Sequence, residues 1–156
     1  MPKKSTVTRK NPNALASTRR VALEFGKYRV RVGWDVKMGA APETVMIATI
    51  NALGAPSANI PPRPVVEGFV RSNGALIRRK HRSAVVAANR GKDPRPKLDE
   101  LAELLRDGGK QAVRDYDEEP NAESTEKQKG FNDPLVGAGA DGGRLVAEFN
   151  AEVSER

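Results

Sequence analysis

The chain has no cysteine, a single histidine and few aromatic residues among its 156 residues. Without cysteine it can form neither a disulfide nor a thiolate metal site, and this absence leaves the redox compartment open. His81 lies among Arg78, Arg79, Lys80 and Arg82, where the surrounding positive charge disfavours binding of a metal ion. No acid nearby in the sequence could orient its ring, so we do not expect His81 to act as a catalytic base.

Sequence motifs for cofactors are also missing or out of context. Gly137, Gly139 and Gly142 match the spacing G-x-G-x-x-G, but a dinucleotide site needs a strand before the glycines and a helix after them. Here a strand is predicted to follow, which favours a flexible loop. The acids between Asp115 and Glu126 lack the order of a calcium loop. We therefore expect no cofactor, no metal and no enzymatic activity.

Long hydrophobic runs are absent as well. No apolar stretch approaches the roughly 18 residues of a membrane span, and the first lysines are not followed by the apolar segment of a signal peptide. These patterns predict a protein that is made in the cytosol and has no membrane partner. With 38% hydrophobic and 4% aromatic residues, the predicted core consists mainly of Val, Ile, Leu and Ala. Such a thin core suggests that neighbouring subunits add rigidity.

The positive charge is concentrated at the N-terminal end. The chain has a formal charge of +7, and residues 1–31 hold nine Lys or Arg but one acid, Glu24. The remainder is close to neutral. Residues 1–17 are polar, basic and interrupted by Pro2 and Pro12, so we predict a flexible basic arm there and a single domain over residues 18–156.

Two segments show the alternation that is typical of strands. Val21, Leu23 and Phe25 alternate with polar or small residues, although residues 18–25 also fit a short helix. A second alternation runs from Tyr28 to Val36, and the Gly26-Lys27 pair between them fits either a hairpin turn or a bulge. A third alternation, from Leu145 to Val153, predicts a C-terminal strand.

Helical spacing appears in the middle of the chain. Pro42 opens a short predicted helix that ends before Gly54, and segments 65–70 and 84–88 are predicted as helices on either side of the cationic run 78–82. From Asp93 onward the main amphipathic helix places one set of apolar residues on a single stripe, namely Leu98, Leu101, Leu105, Ala112 and Tyr116, with Ala102 and Val113 beside it. Gly108-Gly109 in its middle indicates either a break or the close approach of another backbone.

These elements predict an α+β fold. We expect a small antiparallel or mixed sheet that includes the C-terminal strand, packed on one face by the long amphipathic helix and a shorter helix. Between the two central helices, prolines at 61, 62 and 64 predict a stiff, extended connector.

Three short blocks, in this order, resemble the tail-completion and head-to-tail joining proteins of tailed bacteriophages. The first is the strand Val30–Gly33 with the helix end Ile47–Gly54, the second is Ile60-Pro61-Pro62-Arg63-Pro64, and the third is Thr125–Gly130 with Pro134–Val136. The resemblance extends over residues 28–153. Gly137-Ala138-Gly139 and the run 78–82 depart from the family pattern.

The resemblance implies a structural virion protein of the tail or neck, assembled in the host cytoplasm into a homo-hexamer or another ring. Its implied partners are tail-tube, tail-terminator or head-connector proteins. A ring needs a heterologous contact that closes by rotation. We predict that the subunit interface includes Ile60, Pro61, Pro62, Arg63 and Pro64, with Arg63 bonded to a carboxylate of the next subunit. The alternative is that this segment only connects two helices.

The basic residues are candidates to contact either neighbouring proteins or DNA passing through the ring. They fall in the arm, at the start of the domain and in the central cationic run: Lys3, Lys4, Arg9, Lys10, Arg19, Arg20, Arg78, Arg79, Lys80 and Arg82. The competing hypothesis is a small basic DNA-binding protein, which would bind without sequence preference because no aromatic residues lie among the cations of the arm.

Overall fold

The structure is a computed structural model that describes residues 12–118, 127, 135 and 143–156. Eight elements lie in these ranges: α1 Pro12–Gly26, β1 Tyr28–Gly33, α2 Pro42–Leu53, α3 Val65–Ser72, α4 Gly74–Asn89, α5 Arg95–Arg114, α6 Arg144–Ala147 and β2 Asn150–Glu155. Short 3₁₀ turns at Val36–Met38 and Pro56–Ala58 precede and follow α2. The predicted α+β class is confirmed, and the sheet includes the C-terminal strand.

The sheet consists of two antiparallel strands that are far apart in the sequence. β1 pairs with β2 from Tyr28 opposite Glu155 to Gly33 opposite Asn150. Val30 and Val32 on one face pack with Ala151 against α5. A two-stranded sheet alone is marginally stable in water, so the sheet depends on this helix.

The core lies along α5, the long amphipathic helix that the sequence predicts. Its buried residues are spaced by three or four: Leu98, Leu101, Ala102, Leu105, Gly109 and Val113. Val113 belongs to a cluster with Val65, Leu145, Val146 and Phe149. Leu101, Ala102 and Leu105 form a second cluster with Ala151. One helix therefore supports both the sheet and the packing of α3 and α6.

The glycine pair of α5 is a point of close approach and not a break. α5 runs continuously through Gly108 and Gly109. A Cβ atom on Gly108 would lie 2.7 Å from Cε2 of Phe69, and one on Gly109 would overlap the ring of Phe149. Phe149 is almost fully buried, with 1% of its surface exposed, so its ring has no room to move aside. The two glycines are therefore required for both aromatic rings to pack on the helix.

Two segments near the chain ends differ from the alternation that suggested strands there. Residues Val21 to Phe25 belong to α1 and not to a strand; the helix, which the sequence also allowed, begins at Pro12, inside the predicted arm. α1 packs against α4, and the ring of Phe25 contacts that of His81 edge-on at 5.4 Å. α1 is covered on one side only, so Leu23 on another side of the helix stays 62% exposed. Residues 1–11, with Lys3, Lys4, Arg9 and Lys10, lie outside the described residues.

The C-terminal strand is shorter than its alternating pattern predicts. Arg144–Ala147 forms one helical turn, and β2 starts at Asn150. Leu145 and Phe149 are four residues apart, and Val146 and Phe149 three apart, so a helical turn buries all three on the core side. Leu145 and Phe149 fit both an alternating and a helical pattern, whereas the burial of Val146 beside them fits only the helical one.

Replacing Gly109 by alanine tests the close approach. We expect Gly109→Ala to lower the free energy of unfolding by about 1–3 kcal/mol, because overpacking forces buried groups to shift. The control is Gly68→Ala in α3, where nothing lies within 4 Å of the added methyl group. That change should stabilise the helix by about 0.5–1 kcal/mol. Urea denaturation measures both, and equal stabilities for the two variants would contradict the packing described.

Candidate functional site

The proline connector folds back against the end of α2. A Cβ atom on Gly54 would lie 2.9 Å from the carbonyl oxygen of Ile60, so no larger residue fits at this turn, where φ is +75°. Ile60 forms an isolated bridge with Ala55. Pro62 and Pro64 remain exposed. The connector is extended, as predicted, and forms a fixed edge beside α2.

Arg63 does not face outward, and the expectation that it is presented to a carboxylate of the next subunit is wrong in this respect. Its side chain is buried, with 7% of its surface exposed. Its backbone N–H donates to the carbonyl oxygen of Asn51 at 2.6 Å, and its Nη1 donates to Oδ1 of Asn51 at 3.0 Å. Burial of a guanidinium requires such partners, and here they come from α2 of the same chain.

An apolar groove of about 570 Å³ opens between the end of α2, the connector and α3. Its walls include mainly apolar side chains, among them Trp34, Leu53, Val66, Val70, Leu135 and Leu145. Trp34 donates from Nε1 to the carbonyl oxygen of Leu145 at 2.8 Å, and its ring contacts Phe149 edge-on at 5.0 Å. At the rim, Arg71 and Glu67 form an ion pair at 2.6 Å.

The outer face of α2 is also apolar and adjoins the apolar groove. The helix buries only the small residues Thr44 and Ala48 and exposes its long apolar side chains. Four large apolar side chains of α2 are exposed, with these exposed fractions: Leu53 75%, Met46 58%, Ile47 40% and Ile50 36%. The sequence predicts this helix correctly but not which side faces the solvent. We call α2 and the apolar groove together the apolar surface; contiguous exposed apolar residues of this kind often mark an interaction site.

A second groove, of about 500 Å³, is lined by cations from α4 and the start of α5. Arg79 and Arg82 from the predicted run lie here, joined by Arg90, Lys92 and Lys97, which the sequence-based prediction missed. We call this the basic groove. Arg79, Arg82 and Arg90 are separated by three and eight residues, which places them on one side of a helix, and this was the available signal. The placement of Lys92 and Lys97 depends on the turn between α4 and α5.

The other predicted cations take different positions. Arg78 folds back toward Gly74 at the start of α4. Lys80 pairs with Glu100 at 3.4 Å. Arg19 and Arg20 are exposed on α1, where Nη2 of Arg20 donates to the carbonyl oxygen of Asn89 at 3.5 Å. The predicted run is thus divided among three surroundings because consecutive residues of a helix point in different directions.

Metal-binding groups and membrane-spanning helices are both absent from the part of the chain that the structure describes. Within it, no group of three acidic or histidine side chains could hold a metal ion, and no helix is long and apolar enough to cross a bilayer. The glycines at 137, 139 and 142, most of the acids after Glu118, and the third block of the resemblance apart from Lys127 and Leu135 lie outside the described residues.

Glu148 fixes the first turn of α2. Its Oε2 accepts a hydrogen bond from the backbone N–H of Ala41 at 2.7 Å, and this bond lowers the pKa of Glu148 below its ordinary value. A carboxylate at a helix N-terminus is also favoured by the helix dipole. Together with the bonds between Arg63 and Asn51 near the other end, this contact holds α2 in place from both ends.

The comparisons with known proteins identify no relative. No protein-family model matches the chain, and neither a curated protein nor a solved structure is significantly similar to it.

The role of Glu148 is testable through its pH dependence. Because its pKa is lowered in the folded state, its charge stabilises the fold above the ordinary pKa, and this contribution is lost as the pH falls through the folded-state pKa. We expect Glu148→Gln to lower Tm at pH 7, with a difference from wild type that shrinks toward pH 3. The control is Glu103→Gln on the exposed side of α5. Thermal melts measure the difference in Tm between wild type and Glu148→Gln. If this difference stays constant from pH 7 to pH 3, the charge of Glu148 has no role.

Proposed function

We propose that this chain is a structural, non-enzymatic subunit of a tailed bacteriophage virion, which assembles with copies of itself into a ring at the head-tail junction or at the tail end. The observation that carries the proposal is the apolar surface, where Leu53 and Met46 are mostly exposed beside an open apolar groove. The short blocks that resemble tail-completion proteins supply the virion context.

The composition of the apolar surface suits the centre of a protein interface. The buried centre of a stable interface is apolar and poor in charge, while its rim is polar. Around the apolar groove, Arg63 is already bonded to Asn51, and Glu67 is paired with Arg71. A partner could cover this surface without breaking either pair. A partner that presents an apolar surface, such as another copy of this chain, fits better than one that presents a strongly charged surface.

The stiffness of the surroundings also favours assembly. Pro61, Pro62 and Pro64 restrict the backbone of the connector, and the bonds between Arg63 and Asn51 tie it to α2. A surface that is already ordered loses little conformational entropy on binding. The predicted interface at Ile60–Pro64 therefore keeps its place in the proposal, with Pro62 and Pro64 exposed for contact and Arg63 serving to hold the connector.

A ring requires two different surfaces on each subunit that meet by rotation. The apolar surface would be one of them. The proposed partners beyond the ring are tail-tube, tail-terminator or head-connector proteins, in a virion that is assembled in the host cytoplasm.

The proposal is tested by placing a charge on the apolar surface. We expect the wild-type chain to form a defined oligomer and Leu53→Asp to raise its dissociation constant at least about 30-fold, as for loss of a central interface residue. Light scattering after size exclusion measures the mass, and electron microscopy shows whether rings form.

The matched control is Leu23→Asp on α1, which places the same charge at a site of similar exposure. It should leave the mass unchanged. A wild-type chain that remains monomeric, both alone and when mixed with tail-tube subunits, would overturn the proposal.

A further inference from the structure

The basic groove presents a row of guanidinium groups along one side of α4. Successive helix residues are rotated by about 100°, so Arg79, Arg82 and Arg90 project within a narrow sector, with Ser83 and Val86 between them. The row from Arg79 to Arg90 is about 16 Å long at a rise of about 1.5 Å per residue. Lys92 and Lys97 extend it across the turn that leads into α5.

Most of this charge is not neutralised within the chain. Among the described residues, Arg79, Arg82, Arg90 and Lys92 form no ion pair. Lys97, the fifth cation of the groove, is paired with Glu100, which also pairs with Lys80 outside the groove. Four neighbouring positive charges repel one another, and a bound anion relieves that repulsion.

The excess positive charge does not continue onto α1. Lys92 also lines a smaller depression together with Arg20, but Glu24 and Asp93 lie there too and balance the charge. Arg20 is held there by its contact with the carbonyl oxygen of Asn89. The row along α4 is therefore the part of this surface that suits an extended anionic ligand.

We propose that the basic groove binds the phosphate backbone of duplex DNA without reading its sequence. A duplex strand carries one phosphate per about 3.4 Å of axis, so the row of about 16 Å passes about five phosphates. The lining contains no aromatic residue on which an unpaired base could stack, which favours a duplex over a single strand. The residues that line the groove include five cations and no acid, and this excess of one sign matches a continuous line of phosphates.

This inference is independent of the proposed assembly. The residues lining the basic groove differ from those lining the apolar groove, so either surface can be disabled alone. It also differs from the sequence-based hypothesis, which placed the candidate contacts in the arm, at the start of the domain and in the run 78–82. The basic groove adds Arg90, Lys92 and Lys97 to part of that run and does not include Arg78 or Lys80.

The test is a fluorescence anisotropy titration of the full chain with a labelled duplex of about 30 base pairs, at salt concentrations from about 50 to 200 mM. The variant combines Arg79→Gln, Arg82→Gln and Arg90→Gln. We expect its affinity for the duplex to fall at least about tenfold. The slope of the logarithm of the association constant against log salt is negative, and its magnitude should decrease by about 2–3, since each phosphate contact contributes about 0.9.

The matched control removes the same charge elsewhere, by Arg29→Gln on β1, Lys37→Gln in the first 3₁₀ turn and Arg114→Gln at the end of α5. It should change affinity and slope by less than half as much. Residues 1–11 are identical in all variants, so any contribution from them cancels. Circular dichroism confirms that each variant is folded.

Three results would overturn the inference. The first is no binding by the wild-type chain at the lowest salt concentration. The second is an equal loss in the control and groove variants. The third is equal affinity for poly-L-glutamate of matched charge, which would assign the groove to an acidic protein surface.

Discussion

The packing of two aromatic rings directly on the backbone of α5 is the constraint on which the rest of the structure depends. Phe69 brings α3, and Phe149 brings the start of β2, to the surface left open by Gly108 and Gly109. Phe149 in turn contacts Trp34, which lines the apolar groove. The shape of the groove therefore follows from two positions in a helix that does not itself line it.

α2 is attached to this core in an unusual way. It buries small residues and exposes large apolar ones, while polar contacts at both ends hold it: Glu148 with Ala41, and Arg63 with Asn51. Burial of Ala48 alone gives little hydrophobic stabilisation compared with a leucine. The polar contacts thus define where the helix lies, and its apolar side chains remain accessible to a partner.

Sequence patterns predicted the elements whose burial is one-sided and regular. α2 and α5 follow their periodicity, and β1 follows it as far as Gly33. At Gly108-Gly109 the structure shows neither of the two predicted alternatives, a break or the approach of another backbone, because two aromatic side chains lie there. The patterns left strand and helix open at α1 and wrongly predicted a strand at α6. Leu23 and Leu145 fit either structure, so only tertiary packing decides. For the basic groove, the sequence identified Arg79 and Arg82, but no local signal shows that Lys92 and Lys97 lie there as well. For the connector, the sequence did not show that Arg63 turns inward to Asn51.

The pairing of β1 with β2 also determines the order in which the fold can form. The bond between Arg31 and Glu152 joins residues 121 positions apart, and every rung of the sheet has a comparable separation. Contacts of this kind form slowly because a long loop must close first. β1 and α5 can pack on each other before β2 is synthesised, but the surface of α5 that Phe149 and Ala151 cover stays exposed until β2 leaves the ribosome. During this interval the nascent chain presents apolar surface and an unpaired strand edge, which favour aggregation.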